Sequence, residues 1–257
     1  MVLAFAASDP TGGAGLQADL LTLASLGCHP LSVLTAVTAQ DTSGVEGLLA
    51  LEPEWIARQA RRVLADIPAA AFKVGVLGSA RNAEAVAQIL GGHARTPMVL
   101  DPVLASARGH PLSDGETVQA LRSALLPMTT VLTPNSLEAR RLAHAAPGAA
   151  LADCARALTD LGCKYVLITG THEPGDQVVN TLYSASGKLR EDRWPRLAGE
   201  YHGSGCTLAS AVAAFVAKGL AIEDAVREAQ VYTWKTLQAG FRPGHGQNLP
   251  NRFFGSK

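Results

Sequence analysis

The sequence lacks net charge, long apolar runs and any leader-like start. Lys plus Arg and Asp plus Glu each total 22, so the formal net charge is zero, and no basic surface is expected to hold a nucleic acid. No stretch approaches the roughly 18 apolar residues of a membrane-spanning helix. The start MVLAFAASDP has no basic region and reaches Asp9 after a short apolar run, so no secretory signal is predicted.

Cysteine is also scarce. The chain has four cysteines, with neither a C-x-x-C pair nor the spacing of a zinc site, and free thiols are therefore expected. Free thiols are typical of a reducing compartment, which favours a cytoplasmic protein. With 47% hydrophobic and 17% charged residues in 257, the composition indicates a folded globular chain rather than a disordered one.

Short apolar runs alternate with longer segments of helical period, a pattern typical of βαβ units around a parallel sheet. The predicted strands are Val2 to Ala7, Leu31 to Thr38, FKVGVLG, MVLDPV, TVLTP and KYVLITG. The predicted helices are AGLQADLLTLASLG, Glu52 to Ile67, Asn82 to Leu90, Asp114 to Leu126, segments on both sides of Pro147, Gly205 to Lys218 and Ile222 to Gln238.

Two extended runs around Ser186 and Gly187 leave no room for a helix and predict an antiparallel hairpin. No repeat and no linker longer than an ordinary loop is found, so one domain over residues 1–257 is preferred. The fold class expected is α/β.

Ligands of open α/β sheets bind beyond the carboxyl ends of the strands. Four polar segments follow predicted strands, namely SDPTGGAG, TAQDTSG, DPVLASARG and TPNSLEA. Structural interpretations compete with functional ones here. Asp9 with the following glycines fits a tight turn, and Asn135 with Glu138 fits a helix capping box.

The familiar phosphate motifs are missing. The first glycine-rich turn does not match G-x-G-x-x-G, and there is no G-x-x-x-x-G-K-[ST] run. The best candidate for holding an anion is HGSGCTLASAVAAFVAKG, where Gly203 and Gly205 bracket the start of a long apolar helix. Unpaired backbone N–H groups and the positive end of the helix dipole meet at such a start.

Cys206 falls on the first turn of that helix, where the dipole should lower its thiol pKa and favour a reactive thiolate. The other three cysteines are interpreted as small packed residues. His202, just before the helix, is interpreted as a surface or hydrogen-bonded residue.

Asp101 ends an apolar run, and a desolvated carboxylate there needs a positive partner. With Glu138 it could hold Mg²⁺ through water, since this ion takes one or two carboxylates beside phosphate oxygens. A hydrogen bond to a neighbouring loop is the structural alternative.

Taken in order, SDPTGGAGLQADL, TAQDTSGV, KVGVL, DPV, TPNSLEA and HGSGCTLASAVAA resemble the hydroxymethylpyrimidine and hydroxymethylpyrimidine-phosphate kinases of thiamine biosynthesis, within the ribokinase-like superfamily. The resemblance runs from about Ala6 to about Gly246. It implies a three-layer αβα fold with a mostly parallel central sheet, and Mg-ATP as phosphoryl donor. It also implies that a pyrimidine's hydroxymethyl group or its monophosphate is the acceptor, and it suggests a homodimer.

The resemblance also implies roles for single residues. The acceptor pocket would contain Gln40, whose amide reads the aminopyrimidine edge, Val76 over the ring, Gly12 and Asp19. The magnesium and phosphate-water positions would be Asp101, Asn135 and Glu138. The anion hole would be Gly203, Gly205 and Cys206, with Cys206 where most sugar kinases of the superfamily carry an aspartate base; a thiolate accepting the hydroxyl proton is the corresponding hypothesis.

The nucleotide is expected to contact Asn135, Thr169, Gly170 and Ser204. Some residues depart from the family pattern in this region. Thr169 to His172 replace a Lys-Gly-Gly-His run, Asn180 stands where an acid is common, and HGSGC replaces HGTGC while keeping a hydroxyl. The tail GHGQNLPN departs from the usual GHGP ending and receives no predicted role.

Three alternatives stay open. A pyridoxal-type kinase of the same superfamily shares an aromatic hydroxymethyl acceptor, and Gln40 within TAQ favours the pyrimidine only weakly. An oxidoreductase could use the first glycine-rich turn for a dinucleotide, although its fingerprint is missing. A protein that binds a pyrimidine without phosphorylating it is compatible with the altered run at 169–172.

Overall fold

The computed structural model describes residues 1–106 and 109–255, and its strands form one nine-stranded sheet. The strand order is β3-β2-β1-β4-β5-β6-β7-β8-β9. The strands are β1 (Val2–Ser8), β2 (Pro30–Gln40), β3 (Val45–Ala50), β4 (Ala71–Val74), β5 (Met98–Leu100), β6 (Val131–Leu132), β7 (Tyr165–Thr169), β8 (Gln177–Ser184) and β9 (Gly187–Pro195). Strands β1, β2 and β4 to β7 run parallel, while β3, β8 and β9 form the antiparallel pairs β2–β3, β7–β8 and β8–β9 toward the two edges.

Helices cover both faces of the sheet. They are α1 (Gly15–Ser25), α2 (Pro53–Asp66), α3 (Ala80–Gly91), α4 (Gly115–Ala120), α5 (Ser136–Leu142), α6 (Leu151–Asp160), α7 (Ser204–Ala217) and α8 (Ile222–Gln238). Helices α2 to α6 share one buried apolar cluster with the sheet, and α1, α7 and α8 share the other. The expected three-layer αβα arrangement is confirmed.

Strand β1 explains why the layers form. Leu3 and Phe5 belong to the cluster under α2 to α6, whereas Val2 belongs to the cluster under α1, α7 and α8. Side chains alternate between the two faces of a strand. Because both faces are covered, β1 is apolar at every position from Val2 to Ala7, as expected for a central parallel strand.

The sequence analysis missed strand β3. Its residues, VEGLLA, pair antiparallel with the end of β2, and only part of each side chain is covered. A half-exposed edge strand with a central glycine lacks the continuous apolar run by which the inner strands were found. The predicted second strand also stops short, because β2 continues to Gln40.

One helix ends earlier than predicted. The helix expected from Asp114 to Leu126 is α-helical only over Gly115–Ala120, followed by a π turn and a 3₁₀ turn that contains Pro127. Proline cannot donate the helical hydrogen bond and crowds the preceding turn, which accounts for the change. The predicted hairpin is confirmed, with Gly187 at φ 103° in its turn.

All four cysteines are free, as expected. Among the described residues, none of the helices is both long and apolar enough to span a bilayer. Two residues of the predicted DPVLASARG segment, Ala107 and Arg108, lie outside the described residues.

The difference in burial between two leucines predicts different losses of stability when each is replaced by alanine. Leu132 in β6 is 0% exposed and Leu137 on α5 is 56% exposed. We expect Leu132→Ala to lower the free energy of unfolding by about 2–5 kcal/mol, through lost transfer energy and an unfilled cavity. Leu137→Ala should cost less than about 1 kcal/mol. Urea unfolding followed by circular dichroism measures both, and equal losses would contradict the assigned burial.

Candidate active site

A cavity of about 750 Å³ lies at the carboxyl ends of the parallel strands. All four polar segments singled out from the sequence contribute residues to its lining, among them Asp9, Gln40, Asp101 and Asn135. Since β2 and β9 are near opposite edges of the sheet, the cavity crosses most of its width. The start of α7 contributes to the same lining through residues 203–206.

The first turn of α7 is built for close approach to its backbone. Gly203 caps the helix at φ 84°, and a Cβ there would overlap the carbonyl oxygen of Gly13. The first helical hydrogen bond runs from the Thr207 N–H to the Gly203 carbonyl, 3.0 Å. The amides of Ser204, Gly205 and Cys206 therefore precede the helical ladder, as an anion-binding helix start requires.

The turn after β1 packs against this helix start. The Asp9 carboxylate accepts hydrogen bonds from the Thr11 N–H at 2.8 Å and the Ala14 N–H at 2.6 Å, and pairs with His202 Nε2 at 2.9 Å. Burial alone would raise the pKa of Asp9, but these bonds, led by that of His202, lower it to about 2. The tight-turn interpretation of Asp9 and the hydrogen-bonded interpretation of His202 are confirmed.

Arg252 joins the two turns from behind, and the sequence analysis missed it. Its buried guanidinium donates to the carbonyls of Gly12 at 3.1 Å and Gly13 at 2.5 Å, and to Thr207 Oγ1 at 3.1 Å. A lone arginine near the end of the chain carries no periodicity or motif that would have indicated this role.

The predicted low thiol pKa of Cys206 is wrong. Cys206 is buried, and burial raises the pKa of its thiol, with Asp101 and Asp19 adding to the rise. Lys73 and the N–H of Gly15 act in the opposite direction without reversing it. The thiol is therefore protonated at neutral pH.

A buried lysine supplies the positive partner that Asp101 was expected to need. Lys73 Nζ lies 2.8 Å from Asp19 Oδ1 and 3.6 Å from Asp101 Oδ2, and all three residues are nearly inaccessible. Burial alone would lower the pKa of Lys73, but Asp19, Cys206 and Asp101 raise it, so the ammonium stays charged. The sequence analysis placed Lys73 only within the predicted strand FKVGVLG, and no motif there indicated an ion pair with Asp101.

Two predicted pocket residues do not line the cavity. Asp19 is 0% exposed and is held by Lys73 and by Ser210 Oγ at 2.8 Å. Gly12 faces Arg252 through its carbonyl. Neither residue is part of the cavity lining, which corrects their placement in the acceptor pocket. Gln40 and Val76 do line it.

The capping-box interpretation of Asn135 and Glu138 is confirmed. The Asn135 side chain accepts from the N–H groups of Leu137 and Glu138, and Glu138 Oε2 accepts from the Asn135 N–H at 2.9 Å. Burial, and then the charge of Asp101, raise the pKa of Glu138 to about 8.

The donor set fits a magnesium ion held through water. Asp101 Oδ2 is buried and has no hydrogen-bond partner among the described residues, and the pKa of Glu138 responds to its charge. The carboxyl oxygens of Asp101 and Glu138, beside a cavity that can admit phosphates, suit Mg²⁺, which keeps several waters. The described part of the chain contains no cluster of three or more His, Cys, Asp or Glu that could hold a metal directly.

Of the predicted nucleotide contacts, Asn135, Thr169 and Ser204 line the cavity. Gly170 does not, because its N–H donates to Asn180 Oδ1 at 3.1 Å and a Cβ on it would overlap the carbonyl of Val179. The Asn180 amide donates in turn to Gln230 Oε1 at 2.9 Å. Asn180 therefore holds the strand end in place.

The β9 side of the cavity is apolar, which the sequence analysis did not foresee. The side chains of Val178, Trp194, Trp234 and Leu237 line it, and the two indole rings lie 6.3 Å apart. Arg196 donates three hydrogen bonds to carbonyls of residues 171–175 and so fixes the loop after β7. A flat apolar ring would fit this end.

Known proteins are similar to this chain over nearly its whole length. A profile of the phosphomethylpyrimidine kinase family matches residues 9–251. A hydroxymethylpyrimidine/phosphomethylpyrimidine kinase of Streptomyces coelicolor is 43% identical over 96% of this chain and 91% of its own. The Escherichia coli enzyme of the same name is 36% identical over 95% and 94%.

Solved structures are similar as well. A Staphylococcus aureus pyridoxal kinase in complex with ADP superposes with a TM-score of 0.90 at 26% identity, covering 100% of this chain and 94% of that one. A Clostridium difficile phosphomethylpyrimidine kinase gives a TM-score of 0.79 at 33% identity, covering 92% and 98%.

Glu138 should give the stability of the protein a pH dependence. Between its ordinary pKa of 4.5 and about 8 the folded protein keeps a proton that the unfolded chain has lost. Its contribution to stability is therefore full below about pH 4.5 and falls as the pH rises, by up to about 1.4 kcal/mol per unit. Urea unfolding at pH 5, 6, 7 and 8 should show this slope in the wild type and a shallower one in Glu138→Gln. The exposed Glu116→Gln is the control and should keep the wild-type slope; identical slopes in all three proteins would refute the assignment.

Proposed function

The chain belongs to the phosphomethylpyrimidine kinase family, and we propose that it transfers the γ-phosphoryl group of ATP to 4-amino-5-hydroxymethyl-2-methylpyrimidine and then to its monophosphate, as a step of thiamine biosynthesis. The observation that carries the proposal is that Gln40, Asp101 and the free amides of α7 face one cavity. The acceptor ring then lies between Gln40 and Val76, with its alcohol directed at the start of α7.

The helix start supplies most of the proposed catalysis. The transferred phosphoryl group carries charge on its equatorial oxygens, and amides fixed before the reaction stabilise that charge without reorganising. Gly203 and Gly205 leave the backbone open to the phosphate, and the dipole of α7 adds a positive end. The Asp9 and Arg252 contacts keep the two turns in register, so that the alcohol and the γ-phosphate can be aligned.

The nucleotide extends toward β9 in this proposal. Asn135, Thr169 and Ser204 lie along the phosphates, and the adenine occupies the apolar end between Trp194 and Leu237. Asp101 and Glu138 would hold a magnesium ion through water, and the ion would supply positive charge against the phosphates.

We also propose that the enzyme is a cytoplasmic homodimer of single-domain subunits. Four free cysteines suit a reducing compartment. Val37 and Leu49 are paired across β2 and β3 and are 38% and 67% exposed, which leaves an apolar patch at the sheet edge for a second copy.

The function is tested directly by ³¹P NMR of product formed from Mg-ATP. We expect a phosphomonoester signal with the hydroxymethylpyrimidine and a diphosphate signal with its monophosphate. Ribose, with no aromatic ring, should give no product. Pyridoxal is included because pyridoxal kinases share this fold; turnover of pyridoxal in preference to both pyrimidines would favour that activity instead, and no product from any acceptor would leave only a binding role.

A substitution of Cys206 tests whether its thiolate acts as the base that accepts the hydroxyl proton. The raised thiol pKa argues against a thiolate base, so Cys206→Ala should lower kcat by less than about tenfold, whereas loss of a positioned base typically costs ~10²–10⁴-fold. Steady-state kinetics at saturating ATP measures this. The control is Cys28→Ala, which should match the wild type; a loss of about a hundredfold or more in Cys206→Ala alone would restore the base assignment.

A further inference from the structure

Gln247 reaches the cavity from the end of the chain, in the tail to which the sequence analysis gave no role. Its N–H donates to the Thr42 carbonyl at 2.8 Å, and the Gly246 N–H donates to Thr42 Oγ1 at 3.0 Å. On its other side, the Asn248 carbonyl accepts from the His202 N–H at 2.9 Å. The backbone of Gln247 is thus fixed between the loop after β2 and the segment that leads into α7.

Gln247 is 7% exposed as a whole residue and lines the main cavity. It also faces a small adjoining space of about 10 Å³, which is shared with Gln40, Ser106 and His202. Within the described ranges, its carboxamide makes no hydrogen bond to another side chain or to the backbone. Its amide oxygen and nitrogen are not among the fully enclosed unpaired side-chain atoms, so they are reached from the cavity, where a bound ring or water can pair with them.

Gln247 and Gln40 therefore place two carboxamides at the same end of the cavity. Each presents one acceptor oxygen and two donor hydrogens side by side. A flat ring with an amino group next to a ring nitrogen presents the complementary pattern. His202 is engaged through Nε2 with Asp9, which leaves the two amides as the principal recognition groups there.

We propose that Gln247 is a specificity-determining residue that hydrogen-bonds the polar edge of the acceptor ring together with Gln40. The ligand class is an amino-substituted nitrogen heteroaromatic that carries a hydroxymethyl group. This inference rests on the proposed function and adds a second residue of the acceptor site from a part of the chain distant in sequence.

The decisive comparison is Gln247→Leu against the wild type, with Gln88→Leu on the exposed face of α3 as the matched control. We expect Gln247→Leu to raise KM for the hydroxymethylpyrimidine by about tenfold and to change KM for ATP by less than about twofold. Titration calorimetry of the pyrimidine without ATP should show the same loss of affinity. Gln88→Leu should match the wild type in every constant.

A purely structural role for the tail predicts a different result. Gln247→Leu would then lower the melting temperature while leaving KM and the calorimetric Kd for the pyrimidine unchanged, and that outcome would overturn the inference. Gln247→Asn, which keeps the amide on a shorter side chain, should recover part of the affinity. If the wild type phosphorylates no pyrimidine but binds one in calorimetry, the proposed function fails. The Gln247 contact is then tested by whether Gln247→Leu binds that pyrimidine more weakly than the wild type does.

Discussion

The ion cluster around Lys73 is the constraint on which the site depends. Lys73 lies on β4 in the middle of the sheet, and it joins Asp19 of α1 to Asp101 after β5. Ser210 of α7 donates to the same Asp19, so one buried cation fixes both helices whose starts meet at the cavity. A Cβ on Gly75 would lie 2.7 Å from Lys73 Nζ, which explains why the strand run continues with a glycine. Removing one member of such a cluster leaves an uncompensated buried charge, which typically lowers the free energy of unfolding by about 3–5 kcal/mol.

The same cluster explains why the helix dipole does not make Cys206 a thiolate. The N-terminus of a helix acts like about half a positive charge. Asp19 and Asp101 each bring an acidic group close to the buried thiol, and the negative charge of each opposes the helix dipole. Burial adds to their effect, and Lys73 only partly opposes it. Glu138 follows the same logic, since its carboxyl group is buried beside Asp101. The site is thus rich in acids at one wall and open to an anion at the other, a division that suits a bound phosphate accompanied by a cation.

The layered fold and the open helix start at the cavity could be predicted from the sequence because their signals are local. An apolar run such as Val2 to Ala7 has to be covered on both faces, and a glycine-bracketed helix start exposes amides wherever it occurs. Edge strand β3, Lys73 and Arg252 could not be read in this way. Strand β3 is half exposed, and the other two act through partners at 28 to 240 residues' separation. The predicted position of Asp19 in the acceptor pocket was wrong for a related reason. Membership of a motif does not tell which side of a cavity wall a side chain faces.

The two ends of the cavity are therefore under different physical constraints. The end proposed for the phosphates presents backbone amides and a helix terminus, which many side chains can accompany without changing the chemistry. The end proposed for the acceptor is formed where the loop after β2, the segment before α7 and the terminal tail converge, and none of these segments adds residues to the buried apolar clusters. Apart from His202, which pairs with Asp9, side chains there cost less folding stability to change than core residues do, whereas the ring proposed to bind depends on each one. Kinases with this fold can accordingly share the phosphate end and differ in acceptor, so acceptor identity has to be argued from the few side chains at the loop end, and fold similarity alone does not decide it.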